Sequence, residues 1–119
     1  MLTVGLGTGA TQGFVLQWPE VREAAVAELS PVVARFSLQY FRDLWLGHEG
    51  DARSRVIIAD GRAHLQGLTR GSLDLVIAEP SNPWVMGEGS LFSEDFYRLV
   101  AARLAPGGLA SLWFHSYGM

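Results

Sequence analysis

The chain has 119 residues, which suits a single domain, residues 1–119, with a hydrophobic core. It contains no cysteine, which excludes disulfides and cysteine-ligated metals, and its three histidines show no metal-ligand spacing, so we expect no metal. All nine cationic side chains are arginines scattered along a chain of net charge −3, so charge gives no indication of nucleic-acid binding. No apolar run approaches the ~20 residues that span a bilayer, and we expect a soluble cytoplasmic domain with no membrane segment.

The first apolar run, Leu2 to Leu6, leads into the turn Gly5-Leu6-Gly7-Thr8-Gly9. A strand that ends in glycines and continues into a helix is how open α/β sheets build a nucleotide pocket. Because glycine has no Cβ, Gly5, Gly7 and Gly9 are predicted to let the backbone approach a ligand closely. The alternative is a tight strand-to-helix turn that binds nothing.

Acidic residues follow the next two predicted strands. Ala24 to Leu29 carries Glu28 near its end, and Arg55 to Ala59 is followed by Asp60-Gly61. An acid at the end of the second strand typically accepts hydrogen bonds from ribose hydroxyls, and an aspartate after the third could accept one from an adenine amino group. The alternatives are a solvated glutamate and an Asp-Gly turn or helix cap.

Local signals mark two helices. Ser30 is a predicted N-cap for a helix over Pro31 to Leu44, with proline in its first turn. Ser93 is a predicted N-cap for a second helix, which the sequence Pro106-Gly107-Gly108 should end before the last strand. The segment Gly47 to Arg53, which follows the first of these helices, is polar and contains glycine. It is predicted to be a loop.

The fourth predicted strand, Leu73 to Ala78, is followed by a rigid loop, Glu79 to Trp84, with two prolines. A carboxylate at a strand end can act as a general base, so Glu79 is the candidate catalytic residue. Asn82 and Trp84 are candidate substrate-binding residues in the same loop. The alternative is a structural turn in which the tryptophan fills the core.

The pattern as a whole predicts a doubly wound α/β fold. The strands are mostly continuous apolar runs, which is typical of a parallel sheet buried on both faces, and they alternate with helices. We predict a Rossmann-like sheet of order 3-2-1-4-5, with the ligand crevice between strands 1 and 4. An uncovered edge beside the last strand, Gly108 to Phe114, would favour association into a homo-oligomer.

These motifs, in this order and spacing, resemble the spermidine synthase-like family of class I S-adenosylmethionine-type Rossmann-like transferases. The resemblance covers essentially the whole chain and rests on the Gly5–Gly9 turn, Glu28, Asp60-Gly61, the Glu79–Trp84 loop, the segment Leu91–Tyr97 and Leu104–Gly108. It implies that the turn, including Thr8, cradles the nucleoside–sulfur cofactor, that Glu28 binds the ribose and Asp60-Gly61 the adenine. It also implies a gating loop at about Val85 to Ser90, and a small amine as the second substrate.

Three positions depart from the family's sequence. Two of them lie in the motif after the fourth strand, which is Asp-x-x-Asp-Pro in the family, and the third lies in the glycine turn, which usually carries an acid. Glu79 replaces the first aspartate, which is the family's base, and Asn82 replaces the second, which removes a charge that would face a cationic polyamine. Thr8 stands where aminopropyltransferases usually carry an acid that helps to hold the amine of the decarboxylated cofactor. Intact S-adenosylmethionine therefore becomes a second candidate. The chain also has no counterpart of the family's N-terminal β-region, so we expect a truncated core from a divergent member or fragment.

The favoured interpretation is an aminopropyltransferase that uses S-adenosylmethionine or its decarboxylated form. One alternative is an S-adenosylmethionine-dependent methyltransferase, since Asn82-Pro83-Trp84 partly matches the Asn-Pro-Pro-Tyr loop of amino-group methyltransferases. Another is a degenerate nucleoside-binding domain without activity. The fourth and weakest interpretation is an NAD-dependent dehydrogenase, because Gly5-x-Gly7-x-x-Ala10 satisfies only a loose dinucleotide fingerprint.

Overall fold

The computed structural model describes residues 1–80 and 89–114. The strands are β1 (Leu2–Val4), β2 (Ala24–Glu28), β3 (Ser54–Ile58), β4 (Leu73–Ala78) and β5 (Leu104–Leu112). The helices are α1 (Ala10–Leu16), α2 (Pro31–Tyr40), α3 (Gly61–Gly67) and α4 (Glu94–Arg103), with short 3₁₀ helices at Arg42–Trp45 and Gly89–Phe92. No helix within these two ranges is long and apolar enough to cross a membrane.

The five strands form one sheet in the order β3-β2-β1-β4-β5, and all four pairings are parallel. This confirms the predicted doubly wound, Rossmann-like order. β1 lies at the centre, where Val4 is level with Ala27 of β2 on one side and with Ala78 of β4 on the other. The residues that follow these three strands therefore emerge together at the carboxyl edge of the sheet.

Side chains alternate along β1 between two helical layers. Leu2 and Val4 lie in a buried cluster with Leu65 of α3 and Phe96 of α4 on one face of the sheet. On the other face, Val15 and Leu16 of α1 pack against Ile77 of β4. Trp45 lies farther along that second face with Leu6 and Val26. The sheet is thus covered on both sides at its centre.

The prediction that the strands are buried on both faces is confirmed only for the centre of the sheet. All of β1 is buried, as are most of β2 and the second half of β4. The two edge strands are not, since Ile58 of β3 is 50% exposed and Leu109 of β5 is 69% exposed. An apolar run indicates a strand, but its place in the sheet decides how much of it is covered.

The predicted N-caps are confirmed. The Ser30 hydroxyl accepts a hydrogen bond from the Val33 N–H at 3.3 Å, and the Ser93 hydroxyl accepts one from the Phe96 N–H at 3.2 Å. A serine at this position accepts from one of the backbone donors that the first turn leaves without an intrahelical partner. Both helices therefore begin where the sequence places them.

Two element boundaries differ from the prediction by about four residues, and several strand ends differ by one or two. α2 ends at Tyr40, not Leu44, because the chain leaves helical geometry at Phe41 and forms the 3₁₀ helix that turns Trp45 into the core. The last strand begins at Leu104, ahead of the predicted Gly108. Here Leu73 pairs with Leu104 but Leu75 pairs with Leu109, so Pro106-Gly107-Gly108 forms a bulge within the strand. Gly107, at φ 78°, supplies the left-handed backbone that this bulge needs.

At the amino edge of the sheet, Arg53 closes the loop between α1 and β2. Its guanidinium donates to the carbonyls of Leu16, Trp18 and Val21 and forms an ion pair with Asp51. Hydrogen bonds from the side chain and the backbone N–H of Arg53 hold the pKa of the Asp51 carboxyl well below its ordinary value. This clamp lies at the opposite edge of the sheet from the strand ends that carry the predicted site.

Candidate functional site

A cleft of about 460 Å³ lies at the carboxyl edge of the sheet, where β1 and β4 diverge. This is the position at which open α/β sheets bind ligands. Most of the predicted site residues line it. The described lining residues are Val4, Gly5, Leu6, Gly7, Thr8, Ala10, Thr11, Ala27, Glu28, Leu29, Val33, Asp60, Gly61, Glu79, Pro80 and Leu91.

The glycine turn follows β1 and forms one wall of the cleft. Gly5 and Gly7 have φ angles of 89° and 54°, a left-handed backbone that side-chain-bearing residues rarely adopt. A Cβ built on Gly7 would meet no atom within 4 Å, so this part of the turn is open to the cleft. Together with Thr8, these glycines present bare backbone to any ligand in the cleft.

Gly9 is the exception among the predicted glycines, because it does not line the cleft. Its N–H donates to the Leu6 carbonyl at 2.9 Å, which closes the turn. A Cβ on Gly9 would overlap the indole of Trp45 and lie 2.7 Å from the Ser37 hydroxyl oxygen. The absence of a Cβ on Gly9 is therefore required for packing beneath the turn.

Ser37 and Trp45 form a buried brace under the glycine turn. The Trp45 indole Nε1–H donates to the Ser37 hydroxyl oxygen at 2.9 Å, and that hydroxyl donates to the Thr8 carbonyl at 2.8 Å. Both residues are 1% exposed. Because buried polar groups must be paired, the two side chains and the Thr8 carbonyl depend on one another. The brace holds the turn from the side opposite the cleft.

Glu28 ends β2 and is 9% exposed. Its Oε2 accepts a hydrogen bond from the Leu6 N–H and its Oε1 accepts one from the Ser30 N–H, both at 2.9 Å. The carboxylate thus ties the glycine turn to the start of α2. Each carboxylate oxygen has a second lone pair, so Glu28 can still accept from a ligand hydroxyl in the cleft.

Asp60 and Gly61 lie where β3 meets α3. The Asp60 Oδ1 accepts a hydrogen bond from the Ala63 N–H at 2.9 Å, so Asp60 is the N-cap of α3. Gly61 packs directly on β1, since a Cβ there would lie 2.5 Å from the Val4 Cγ1. This contact brings the first turn of α3 against the cleft. The helix-cap alternative for Asp60 is therefore correct, and it leaves the second carboxylate oxygen, Oδ2, for a ligand.

Glu79 directly follows β4 on the far side of β1 from Glu28 and is exposed. Its Oε2 accepts a hydrogen bond from the Thr11 hydroxyl of α1 at 2.9 Å. Among the residues that the structure describes, no donor contacts its Oε1. Glu79 is thus a cleft-lining carboxylate with one oxygen held by Thr11 and the other without a donor from the part of the chain that the structure describes.

The charge of the cleft is one-sided. The ionisable residues among its described lining are Glu28, Asp60 and Glu79, and the described lining includes no lysine, arginine or histidine. Three carboxylates without a basic partner create a negative potential that favours a cationic ligand. The same potential disfavours a ligand that carries a pyrophosphate.

Two predicted substrate residues, Asn82 and Trp84, lie outside the described residues, as do residues 85–88 of the predicted gating loop. The described chain resumes at the 3₁₀ helix that ends in Phe92, and Leu91 lines the cleft. The Arg62 guanidinium of α3 donates to the Ser90 carbonyl at 3.1 Å and to the Ser93 hydroxyl at 3.3 Å. Arg62 therefore connects the helix next to Asp60 to the segment that carries Leu91.

Sequence reasoning missed Thr11, Ser37, Trp45 and Arg62. Thr11 has no motif of its own, and its partner Glu79 is 68 positions away in the chain. Ser37 is a polar residue in the middle of α2, where it would ordinarily face solvent. The sequence feature that could have indicated the brace is the pair Gly9 and Gly13 at the start of α1. Neither has a Cβ, and this leaves room for Trp45 and the backbone before it.

Comparison with known proteins agrees with this geometry. Residues 1–115 match the family model of the spermine/spermidine synthase domain. A polyamine aminopropyltransferase from Thioalkalivibrio sulfidiphilus is 36% identical over 109 residues, which are 92% of this chain and 38% of that protein. The chain therefore spans well under half the length of this relative.

Solved structures give the same result. A spermidine synthase in complex with the transition-state analogue AdoDATO superimposes with a TM-score of 0.86 and 27% identity, over 93% of this chain and 37% of that one. Human methyltransferase-like protein 13, in complex with SAH, has a TM-score of 0.70 and 24% identity over 92% of this chain and 51% of that one, and shares the fold. The resemblance predicted from the motifs is confirmed, and the chain belongs to the spermine/spermidine synthase domain family.

Proposed function

We propose that this chain is the nucleoside-binding core of an aminopropyltransferase, which transfers an aminopropyl group from decarboxylated S-adenosylmethionine to an amine. The observation that carries the proposal is the cleft at the β1–β4 divergence, which is bordered by three carboxylates and has no basic side chain in its described lining. A sulfonium donor and an aliphatic amine are both cations, so both suit that potential. Membership of the spermine/spermidine synthase domain family supports the same chemistry.

The donor would lie along the carboxyl edge of the sheet. Its ribose hydroxyls would donate to the free lone pairs of Glu28, and its adenine amino group would donate to Asp60 Oδ2. Gly5, Gly7 and Thr8 would contact the sulfonium end through the open backbone of the turn. The similar spermidine synthase was solved in complex with the transition-state analogue AdoDATO, which supports an S-adenosylmethionine-type ligand.

In the reaction, the amine nitrogen attacks the aminopropyl carbon bonded to the sulfonium sulfur. The new C–N bond forms as the C–S bond breaks, and the bonding pair returns to sulfur to give a neutral thioether. The nitrogen must lose a proton, and Glu79, an exposed carboxylate on the cleft wall directly after β4, can accept it. The remaining task of the protein is to align the two substrates.

A titration tests the donor. We expect decarboxylated S-adenosylmethionine to bind more tightly than S-adenosylmethionine, methylthioadenosine or NAD, since it is the most cationic of the four. Thr8, in place of an acid, keeps intact S-adenosylmethionine as a second candidate, and preferential binding of that form would favour methyl transfer. Binding of NAD alone would overturn the assignment, because its pyrophosphate would have to enter a cleft of three carboxylates.

The Glu79→Gln variant tests the base. The amide has nearly the same shape but cannot take the proton, so we expect donor binding within about twofold of the wild type and a loss of turnover of about 100-fold or more. Isothermal titration gives the first quantity, and product formation from a short aliphatic diamine gives the second. Turnover close to that of the wild type would show that Glu79 is not the base.

A further inference from the structure

The contact between Thr11 and Glu79 joins two elements that the sequence separates by 68 positions. Thr11 lies in the first turn of α1, directly after the glycine turn, and Glu79 directly follows β4. The hydrogen bond therefore crosses the cleft wall at the point where β1 and β4 diverge. It ties the carboxylate to the helix that the glycine turn orients.

The two oxygens of Glu79 differ in their surroundings. Oε2 accepts from the Thr11 hydroxyl at 2.9 Å, whereas Oε1 has no donor among the described residues. An exposed glutamate would otherwise sample several rotamers about its three side-chain torsions. A hydrogen bond from a neutral donor to a charged carboxylate is stronger than one between two neutral groups, so the Thr11 contact favours one of these rotamers.

We infer that Thr11 is a positioning residue that holds Glu79 Oε2, so that Oε1 is the oxygen presented to the cleft as the proton acceptor. This inference deepens the proposed function and rests on it. Glu79 is one methylene longer than the aspartate that the family resemblance predicts at this position. The Thr11 hydroxyl holds that longer side chain at its far end and so limits the freedom that the extra methylene adds.

The hydroxyl alone can be removed by Thr11→Val, which keeps the branched shape of the side chain. We expect kcat with a short aliphatic diamine to fall by about tenfold, while the diamine KM and the donor Kd stay within about twofold, because valine keeps the volume of the side chain in the cleft wall and removes only the hydroxyl that holds the base. Thr11→Ser keeps the hydroxyl and should retain at least half of the wild-type kcat. An unchanged kcat in Thr11→Val, with an active wild type, would overturn the inference alone.

A double-mutant cycle separates positioning from a general effect on the fold. Glu79→Asp shortens the side chain and takes its carboxylate out of reach of Thr11. In a Glu79→Asp background, Thr11→Val should therefore change kcat by less than about twofold. A tenfold loss in both backgrounds would show that Thr11 acts through the fold and not through Glu79, and would overturn the inference.

A measurement without turnover completes the test. In the wild type, NMR of the Glu79 side chain should report one dominant rotamer, and in Thr11→Val it should report averaging. Averaging already in the wild type would overturn the inference whatever the activity. A single rotamer in a wild type that transfers nothing from decarboxylated S-adenosylmethionine to any diamine would instead overturn the proposed function.

Discussion

Glu28 and Glu79 end strands on opposite sides of β1 and both line the cleft, but their surroundings differ. Glu28 is 9% exposed, and each of its oxygens accepts a backbone N–H. Glu79 is exposed, and one of its oxygens accepts a single threonine hydroxyl. The first carboxylate is part of what holds the cleft together, whereas the second has one oxygen, Oε1, with no hydrogen-bond donor among the described residues. Carboxylates at strand ends in this cleft are thus of two kinds, one buried and bonded to backbone and the other exposed and bonded to a side chain.

The region around Glu28 also includes the glycine turn and the brace of Ser37 and Trp45. The Glu28, Ser37 and Trp45 side chains in it form hydrogen bonds with backbone groups or with another buried side chain. Such a region should lose stability when it is changed, whereas the Glu79 side should lose activity. The variants below test that division.

The largest effect is expected for Gly9→Ala. The new Cβ must enter the space of the Trp45 indole and the Ser37 hydroxyl, on a backbone at φ 87°. Left-handed strain and overpacking together should lower the free energy of unfolding by about 3–4 kcal/mol, measured by urea denaturation. Gly7→Ala is the matched control, because its Cβ meets nothing within 4 Å. Gly7→Ala should lower the free energy of unfolding by only about 1 kcal/mol, through backbone strain, and it should weaken donor binding. Equal losses of stability in the two variants would contradict the packing role of Gly9.

Glu28→Ala should be the next most damaging. It leaves the Leu6 and Ser30 N–H groups without their acceptor, at a cost of about 3 kcal/mol in unfolding free energy, and it should abolish nucleoside binding. Glu79→Ala, at an exposed position, should change stability by less than about 0.5 kcal/mol. Chemical denaturation of the two variants side by side is the measurement. Similar losses would break the distinction between the two carboxylates, and unchanged nucleoside affinity in Glu28→Ala would remove its ribose role.

The smallest expected effect is on thermal stability at low pH, and it arises from the Asp51–Arg53 pair, away from the cleft. The pKa of Asp51 is lowered in the fold by Arg53, so this pair stabilises the protein above the unfolded aspartate pKa of about 4. That stabilisation is lost as the pH falls toward the lower folded pKa. The wild-type Tm should therefore fall between about pH 5 and pH 2, and it should fall less in Asp51→Asn, with the exposed Asp74→Asn as control. Identical pH profiles for Asp51→Asn and the wild type would show that the clamp does not set the acid response.

Much of the cleft could be predicted because its residues follow strands, and strand ends in a parallel sheet share one edge. That rule predicts the positions of Gly5 to Thr8, Glu28, Asp60 and Glu79, and all of them line the cleft. Gly9 was assigned to ligand approach, although its missing Cβ faces Trp45. A glycine motif indicates where a Cβ is absent but not which neighbour requires the absence. The roles of Asn82 and Trp84 stay predictions, since both lie outside the described residues.

The sequence by itself determined the elements, their parallel order and the helix caps, because these depend on contacts within a few residues and on a small set of allowed topologies. The Ser30 and Ser93 caps reach only three residues along the chain. The tertiary structure alone decided that, among the described residues, Glu28 accepts two backbone N–H groups and Glu79 accepts one threonine hydroxyl. The contacts that distinguish them join Glu28 to Leu6 and Glu79 to Thr11, 22 and 68 positions apart. Such contacts leave no periodicity in the sequence, because they form only when folding brings separate strand ends to one edge of the sheet.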